Sequence, residues 1–351
     1  GPRLRHDLEG ADVALEPGLP VAVGRARKAR AALVGLEQRA LRDALGRVLA
    51  SDVLSPIDVP PHANSAMDGY ALRSADLPAN GETALQLIGT ALAGHPYSGT
   101  VASGQCVRIM TGAKLPTGAD TVVMQEDVRR EGETVYVDNT PRPGDHVRLP
   151  GEDIASGQVV LPQGRRLTPA DLGLLASLGI AEVKVVRRLR VAFFSTGDEL
   201  RSLGESLEEG QIYDSNRYTL YGMLSRLGME IIDMGVVRDR REDIVTAFRQ
   251  GAAVADVLIT SGGVSVGDAD YVKETLESLG KVNFWKIAMK PGKPLAFGLL
   301  GETAFFGLPG NPVSSMATFY QLVQPALQQM MGQTVQPPLR LRVPCVTKLK
   351  K

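Results

Sequence analysis

The sequence predicts a multidomain α/β protein whose largest part is a three-layer α/β/α domain with a mostly parallel sheet. From Arg190 onward, apolar strand-like runs alternate with helical periodicities, the order that produces a parallel sheet covered on both faces. Three of these runs end in loops rich in glycine or proline, and ligands of open α/β sheets bind at such carboxyl ends. At 351 residues the chain exceeds the size at which a single core stops growing, so we expect several domains.

The region before Arg190 predicts a helical entry segment and a small β domain. Residues 25–50 place apolar side chains such as Leu41, Leu45 and Val48 at helical spacing. Residues 83–140 contain short β-rich runs separated by glycine and proline turns. Residues 168–179 begin with a threonine N-cap and a first-turn proline and end in glycine, which predicts a helix.

Composition excludes several classes of function. Lys plus Arg and Asp plus Glu are both 39, and the absence of a long basic run argues against a nucleic-acid surface. Cys106 and Cys345 are too few and too distant for a disulfide framework, and four histidines argue against a histidine-built metal centre. No apolar run approaches the roughly 18 residues of a membrane span. We therefore expect a cytoplasmic protein with no membrane span.

The loops that follow three of the predicted strands indicate one phosphate-binding pocket. Their glycines allow the backbone to approach a ligand closely, and we expect the amides to be free to bind an anion. Taken alone, the second loop is equally compatible with a strand that turns into a capped helix. The residues expected to contact the ligand are Ser195, Thr196 and Gly197 in the first loop, Ser261, Gly262 and Gly263 in the second, and Pro309, Gly310, Asn311, Pro312 and Ser314 in the third.

Lysines and one threonine extend this prediction. Alternation in an extended segment would place Lys286 and Lys290 on one side, and with Lys293 they would form an anion clamp. A solvated strand face is the alternative. Thr111 would offer its hydroxyl to a ligand or, equally, cap its own turn.

Five acids in loops complete the candidate site: Asp68, Asp153, Glu199, Asp239 and Asp270. Aspartate favours turns and caps, and Asp239 would also suit the N-cap of the helix predicted at 241–254. Carboxylates beside a phosphate imply a bridging cation, so the pocket predicts Mg²⁺ and metal-assisted group transfer. The histidines lie in unrelated contexts, and we find no Ser–His–Asp or Cys–His set.

Nine segments, in unbroken order over about residues 45–345, closely resemble the molybdopterin molybdenumtransferases, or MoeA-type enzymes, and are similar to the E domain of gephyrin. The segments are PIDVPPHANSAMDGYAL, RIMTGAKLPTGADTVVMQED, HVRLPGEDI, LTPADLGLLASLGI, VAFFSTGDEL, QIYDSNR, ITSGGVSVGDADYVK, WKIAMKPGKPLAFG and FGLPGNPVSS.

The resemblance implies insertion of molybdate into adenylylated molybdopterin with release of AMP, assisted by Mg²⁺. It also implies an elongated homodimer with the cleft between subunits, and a molybdopterin adenylyltransferase as the upstream partner. The family's important acids match the five acids named above, of which we assign Glu199, Asp239 and Asp270 to the metal. Thr111, Lys286, Lys290, Pro309 and Pro312 also match functional positions of the family.

The family's organisation implies four parts in this chain. Residues 1–56 and 145–188 would form a discontinuous α+β dimerisation domain, and residues 57–144 an inserted β-rich domain. Residues 189–335 would form the molybdopterin-binding α/β domain. Residues 336–351 would begin a C-terminal β domain that we expect to be largely missing.

Two other functions remain as alternatives. A binding or scaffold module like the gephyrin E domain would use the same fold, but the intact acids favour the enzyme. A molybdopterin adenylyltransferase shares the SGG loop but is a single small α/β domain without the NSAMDGY and PGEDI segments.

Overall fold

The computed structural model describes residues 35–77, 81–138, 142–263, 275–276, 278–286, 294–335 and 339, with only the backbone described at 281–286 and 294. The chain divides into two compact units. Asp52–Pro162 forms one, and Gly1–Ser51 together with Gln163–Lys351 forms the other.

The described strands, in chain order, are β1 (Leu36–Ala40), β2 (Val53–Leu54), β3 (Asn64–Ser65), β4 (Gly69–Leu72), β5 (Thr83–Ala91), β6 (Gln105–Ile109), β7 (Thr121–Met124), β8 (Val128–Glu131), β9 (Thr134–Val137), β10 (Val147–Arg148), β11 (Val159–Leu161), β12 (Glu182–Val186), β13 (Arg190–Thr196), β14 (Leu200–Arg201), β15 (Ile212–Tyr213), β16 (Glu230–Val237), β17 (Val257–Ser261), β18 (Lys281–Lys286), β19 (Pro294–Leu300) and β20 (Thr303–Leu308). The α-helices are α1 (Pro169–Ser177), α2 (Ser215–Leu227), α3 (Arg241–Val254), α4 (Pro312–Thr318) and α5 (Gln324–Met330), and a π-helical segment, Phe319–Val323, joins the last two.

The unit Asp52–Pro162 is built on a six-stranded sheet with the order β7-β4-β6-β5-β9-β8. Only β5 and β6 pair in parallel within it. Alternate residues of β4 enter two cores, since Tyr70 and Leu72 pack in one and Ala71 in the other. This sheet confirms the predicted short β-rich runs.

The other unit contains a six-stranded sheet with the order β16-β13-β17-β20-β19-β18. Its first four strands are parallel to one another, β19 pairs antiparallel with β20, and β18 pairs antiparallel with β19. On one face, Leu220 and Met223 of α2 join the core of Phe193. On the other face, Phe248 of α3 packs edge-on against Phe194 with ring centroids 5.4 Å apart. The predicted α/β layering is confirmed, and the sheet is mixed.

Local capping signals place two of the helices. Before α1, the Thr168 side chain accepts from the Asp171 amide while the Asp171 carboxylate accepts from the Thr168 amide, which forms a capping box. Asp214 caps α2, and Gly228 ends it in the left-handed conformation. The helix predicted at 168–179 is confirmed.

The helix predicted at 25–50 is wrong for its described part. Leu36–Ala40 is a strand that pairs antiparallel with β12, and Leu41–Ala44 forms a single 3₁₀ turn. Gly46, with φ +73°, then breaks any helical continuation. The long-range pairing with β12 overrides the local helical spacing; residues 25–34 lie outside the described residues.

Within the described part of the chain, the helices are too short or too polar to cross a membrane.

Candidate active site

A cavity of about 390 Å³ opens where the parallel strands β13, β17 and β20 end. Because the carboxyl ends of parallel strands share one edge of the sheet, their three loops meet there. The predicted residues that line this cavity are Thr196, Gly197, Glu199, Asp239, Ser261, Gly262, Gly263, Pro309, Gly310 and Pro312. The structure therefore brings residues of all three predicted loops together.

Gly262 is the point at which the three loops touch. Its φ of +91° favours glycine, and an added Cβ would lie 2.5 Å from the Thr196 carbonyl oxygen. Its amide donates to the Leu308 carbonyl at 3.0 Å. The prediction that the glycine amides are free to bind an anion is therefore wrong for Gly262, because this amide is used to join two loops.

The carboxylates of Glu199 and Asp239 are both held against the first loop. Asp239 accepts a hydrogen bond from the Thr196 hydroxyl. An added Cβ on Gly197 would lie 2.7 and 2.8 Å from the two carboxylate oxygens of Glu199, so this glycine leaves space for the acid. Asp239 is not the cap of α3, whose N-cap is Arg240 without a side-chain hydrogen bond. The tertiary contact with Thr196 therefore places Asp239 in the cavity wall and not at the N-cap of α3.

Two carboxylates are donors whose chemistry would suit a Mg²⁺ ion that takes its remaining ligands from elsewhere. Mg²⁺ in proteins commonly binds one or two carboxylates, several waters and substrate phosphates. Among the described residues, no three His, Cys, Asp or Glu side chains lie close enough to hold a metal by themselves. The third predicted metal ligand, Asp270, lies outside the described residues, as do Lys290, Lys293 and the side chain of Lys286.

Asp68 and Thr111 lie in the unit Asp52–Pro162 and contact each other directly. The amide and the hydroxyl of Thr111 each donate to Asp68 Oδ1 at 2.7 Å. These two bonds lower the pKa of the Asp68 carboxyl below its ordinary value. In this structure the Thr111 hydroxyl thus holds a carboxylate. In the same unit, the exposed carboxylate of Asp153 pairs with the guanidinium of Arg148.

Three predicted ligand contacts have structural positions beside the cavity. Ser195 is fully buried, and its hydroxyl has no hydrogen-bond partner within the described part of the chain. Asn311 caps α4 through a bond from the Ser314 amide, at 3.3 Å. Ser195, Asn311 and Ser314 are not among the residues that line the cavity, and their contact with a ligand stays a prediction.

The structure adds two buried cavity residues that the sequence reasoning did not select, Asp214 and Asn216. Asp214 accepts from the Arg217 amide at 3.1 Å and so fixes the start of α2. Asn216 donates to the Ser261 hydroxyl at 2.8 Å and to the Gly310 carbonyl at 2.7 Å. The QIYDSNR segment was the available signal, but a short polar run before a helix suits an ordinary cap equally well.

Comparisons with known proteins identify relatives over both halves of the chain. The MoeA N-terminal region (domain I and II) matches residues 21–179, and the probable molybdopterin binding domain matches residues 192–329. A molybdopterin molybdenumtransferase of Haemophilus influenzae is 51% identical over 294 residues, which are 84% of this chain and 72% of that protein. Gephyrin of Dictyostelium discoideum is 36% identical over 89% of this chain but only 49% of its own length.

Comparison of the fold with solved structures identifies the same family. The crystal structure of a molybdopterin biosynthesis MoeA protein from Pyrococcus horikoshii matches with a TM-score of 0.75 and 36% identity, over 89% of this chain and 80% of that one. Matches to both halves of the chain, with close relatives along most of their own length, show that it belongs to the molybdopterin molybdenumtransferase (MoeA) family.

Proposed function

We propose that this chain inserts molybdate into adenylylated molybdopterin, releases AMP and forms the molybdenum cofactor, with Mg²⁺ as its cofactor. The observation that carries the proposal is the cavity at the ends of β13, β17 and β20, which combines three glycine or proline loops with the carboxylates of Glu199 and Asp239. Loops of this kind suit a phosphorylated substrate, and the carboxylates suit the cation that bridges to it. The name of the 51% identical relative supports the same reaction.

The balanced reaction defines which bonds must break and form, and which protons must be transferred. Two Mo–S bonds replace two Mo–O bonds of molybdate, and the phosphoanhydride P–O bond of the adenylylated substrate breaks. One departing oxygen is balanced by the new phosphate oxygen, and the other leaves as water after taking up two protons. Molybdate is a dianion, so nearby carboxylates must act through a cation or by transferring these protons.

The described residues have separate roles in this proposal. Glu199 and Asp239 would hold Mg²⁺, which when bound neutralises phosphate charge and polarises the anhydride. The Thr196 hydroxyl orients the Asp239 carboxylate through its hydrogen bond. Gly197 leaves space for Glu199. Asp68, Asp153, Asp270 and the lysines enter the proposal through the family resemblance.

The decisive experiment measures AMP released from purified adenylylated molybdopterin on addition of molybdate and Mg²⁺. We expect release that depends on molybdate and is abolished by chelating the cation. Glu199→Gln should slow release by about a hundredfold, the loss typical of removing a charge-stabilising group. Glu182→Gln, at an exposed position of β12, is the matched control and should match the unchanged protein.

Tight substrate binding without molybdate-dependent release would refute the transferase and favour a binding module. The similarity to gephyrin is the observation that makes this the second candidate. We also propose the homodimer, the upstream adenylyltransferase and the cytoplasmic location that the sequence predicts. Sedimentation equilibrium at micromolar concentration would test the dimer, since a monomer mass would contradict it.

A further inference from the structure

Asn216 lies on the first turn of α2 and reaches two cavity loops at once. Its side-chain nitrogen is 2.8 Å from the Ser261 hydroxyl, at the end of β17, and 2.7 Å from the Gly310 carbonyl oxygen, after β20. Only 8% of the residue surface is exposed. The position of Asn216 is itself fixed, because Asp214 caps the helix through the Arg217 amide.

The orientation of this amide follows from chemistry. A carbonyl oxygen can only accept hydrogen bonds, so the nitrogen of Asn216 must face Gly310 and the oxygen must point away. That oxygen is buried and has no partner among the described residues. A buried acceptor without a donor costs free energy, so the asparagine is a poor choice for stability alone.

The two loops that Asn216 joins come close together at Gly262 and Gly310. An added Cβ on Gly310 would lie 3.7 Å from the Gly262 Cα. The Gly262 amide donates to the carbonyl oxygen of Leu308, the last residue of β20 before the third loop begins. Beyond that backbone bond, the two hydrogen bonds of Asn216 connect the loops across the cavity wall.

We infer that Asn216 is a positioning residue that holds the second and third loops at the spacing needed to bind the adenylylated substrate. The inference rests on the proposed function for the identity of that substrate. Asn216 acts through Ser261 and Gly310 rather than on reacting atoms. Its loss should therefore weaken substrate binding while leaving the sheet and α2 folded.

The test compares Asn216→Leu, which keeps the branched shape but cannot donate, with Ser225→Ala, an exposed change on the same helix. In the AMP-release assay we expect Asn216→Leu to raise KM about tenfold, the size expected for two lost hydrogen bonds. Ser225→Ala should leave KM and kcat unchanged. A merely structural role would reduce the amount of active enzyme, and so the maximal rate, without changing KM.

A normal KM in folded Asn216→Leu protein would overturn the inference. If Asn216→Leu does not fold, Asn216→Ala provides a second test, since it removes both hydrogen bonds with a smaller side chain and should also raise KM. If the unchanged protein releases no AMP, the proposed function fails separately. Calorimetric binding of AMP then decides the inference: weaker binding to Asn216→Leu supports it, and equal or absent binding to both proteins contradicts it.

Discussion

Replacing Gly262 with alanine should loosen the junction of the three cavity loops. At φ +91° an L side chain costs about 1–2 kcal/mol. In addition, the new Cβ would lie 2.5 Å from the Thr196 carbonyl oxygen, closer than real Cβ atoms approach any atom. Because the obstacle is backbone, the loop must move, and overpacking of this kind costs about 1–3 kcal/mol more. We expect a total loss of about 2–5 kcal/mol in the free energy of unfolding.

Gly228→Ala is the matched control, because it separates conformational strain from the contact. Gly228 has φ +75° but no atom within 4 Å of an added Cβ, so it should lose only the first 1–2 kcal/mol or so. Calorimetric unfolding of both variants gives the comparison, and AMP binding should weaken only in Gly262→Ala. If the two variants lose equal stability and bind AMP equally, the assignment of Gly262 as the contact point is refuted.

Two further predictions concern carboxylates. Hydrogen bonds from Arg39 and Arg47 lower the pKa of Glu37 from 4.5 to about 2, so its stabilisation is complete above pH 4.5 and is lost as the pH falls towards 2. In urea unfolding, Glu37→Gln should therefore cost about 1 kcal/mol at pH 7, after allowance for partial exposure, and almost nothing near pH 2; an equal cost at both would contradict this. Asp68→Asn should keep the Tm within about 2 °C and slow AMP release, and a normal rate in the folded variant would remove Asp68 from the proposed mechanism.

Much of the α/β unit could be predicted because its signals are local. The helix at Ser215–Leu227 begins at an aspartate cap and ends at a left-handed glycine, both readable within a few residues. The strand at Leu36–Ala40 could not be predicted in this way. It pairs with Glu182–Val186, more than 140 residues further along the chain, and no local spacing encodes that partner.

The candidate site shows the same distinction between features with local signals and features that depend on distant residues. Glycine and proline in the sequence identified the three loops, since glycine widens and proline narrows the backbone conformations available at its own position. The roles of individual polar side chains depend on distant partners. Asp239 contacts Thr196, 43 residues away, and Asn216 contacts Ser261 and Gly310, 45 and 94 residues away.

Two hydrogen-bonded cavity residues, Asn216 and Ser261, lie next to the hydrophobic core on the same elements. The geometry of the site therefore depends on the packing of the sheet. Side chains two residues apart on a strand share a face, so Ser261 follows Ile259 on the side covered by α2. Side chains four residues apart share a helix face, so Asn216 precedes buried Leu220. The Asn216–Ser261 hydrogen bond therefore lies one step beyond the apolar packing of Leu220 and Ile259 on the same two elements. A substitution that shifts α2 against β17 in the core should displace this bond, and with it the third loop through Gly310, even when no cavity residue is changed.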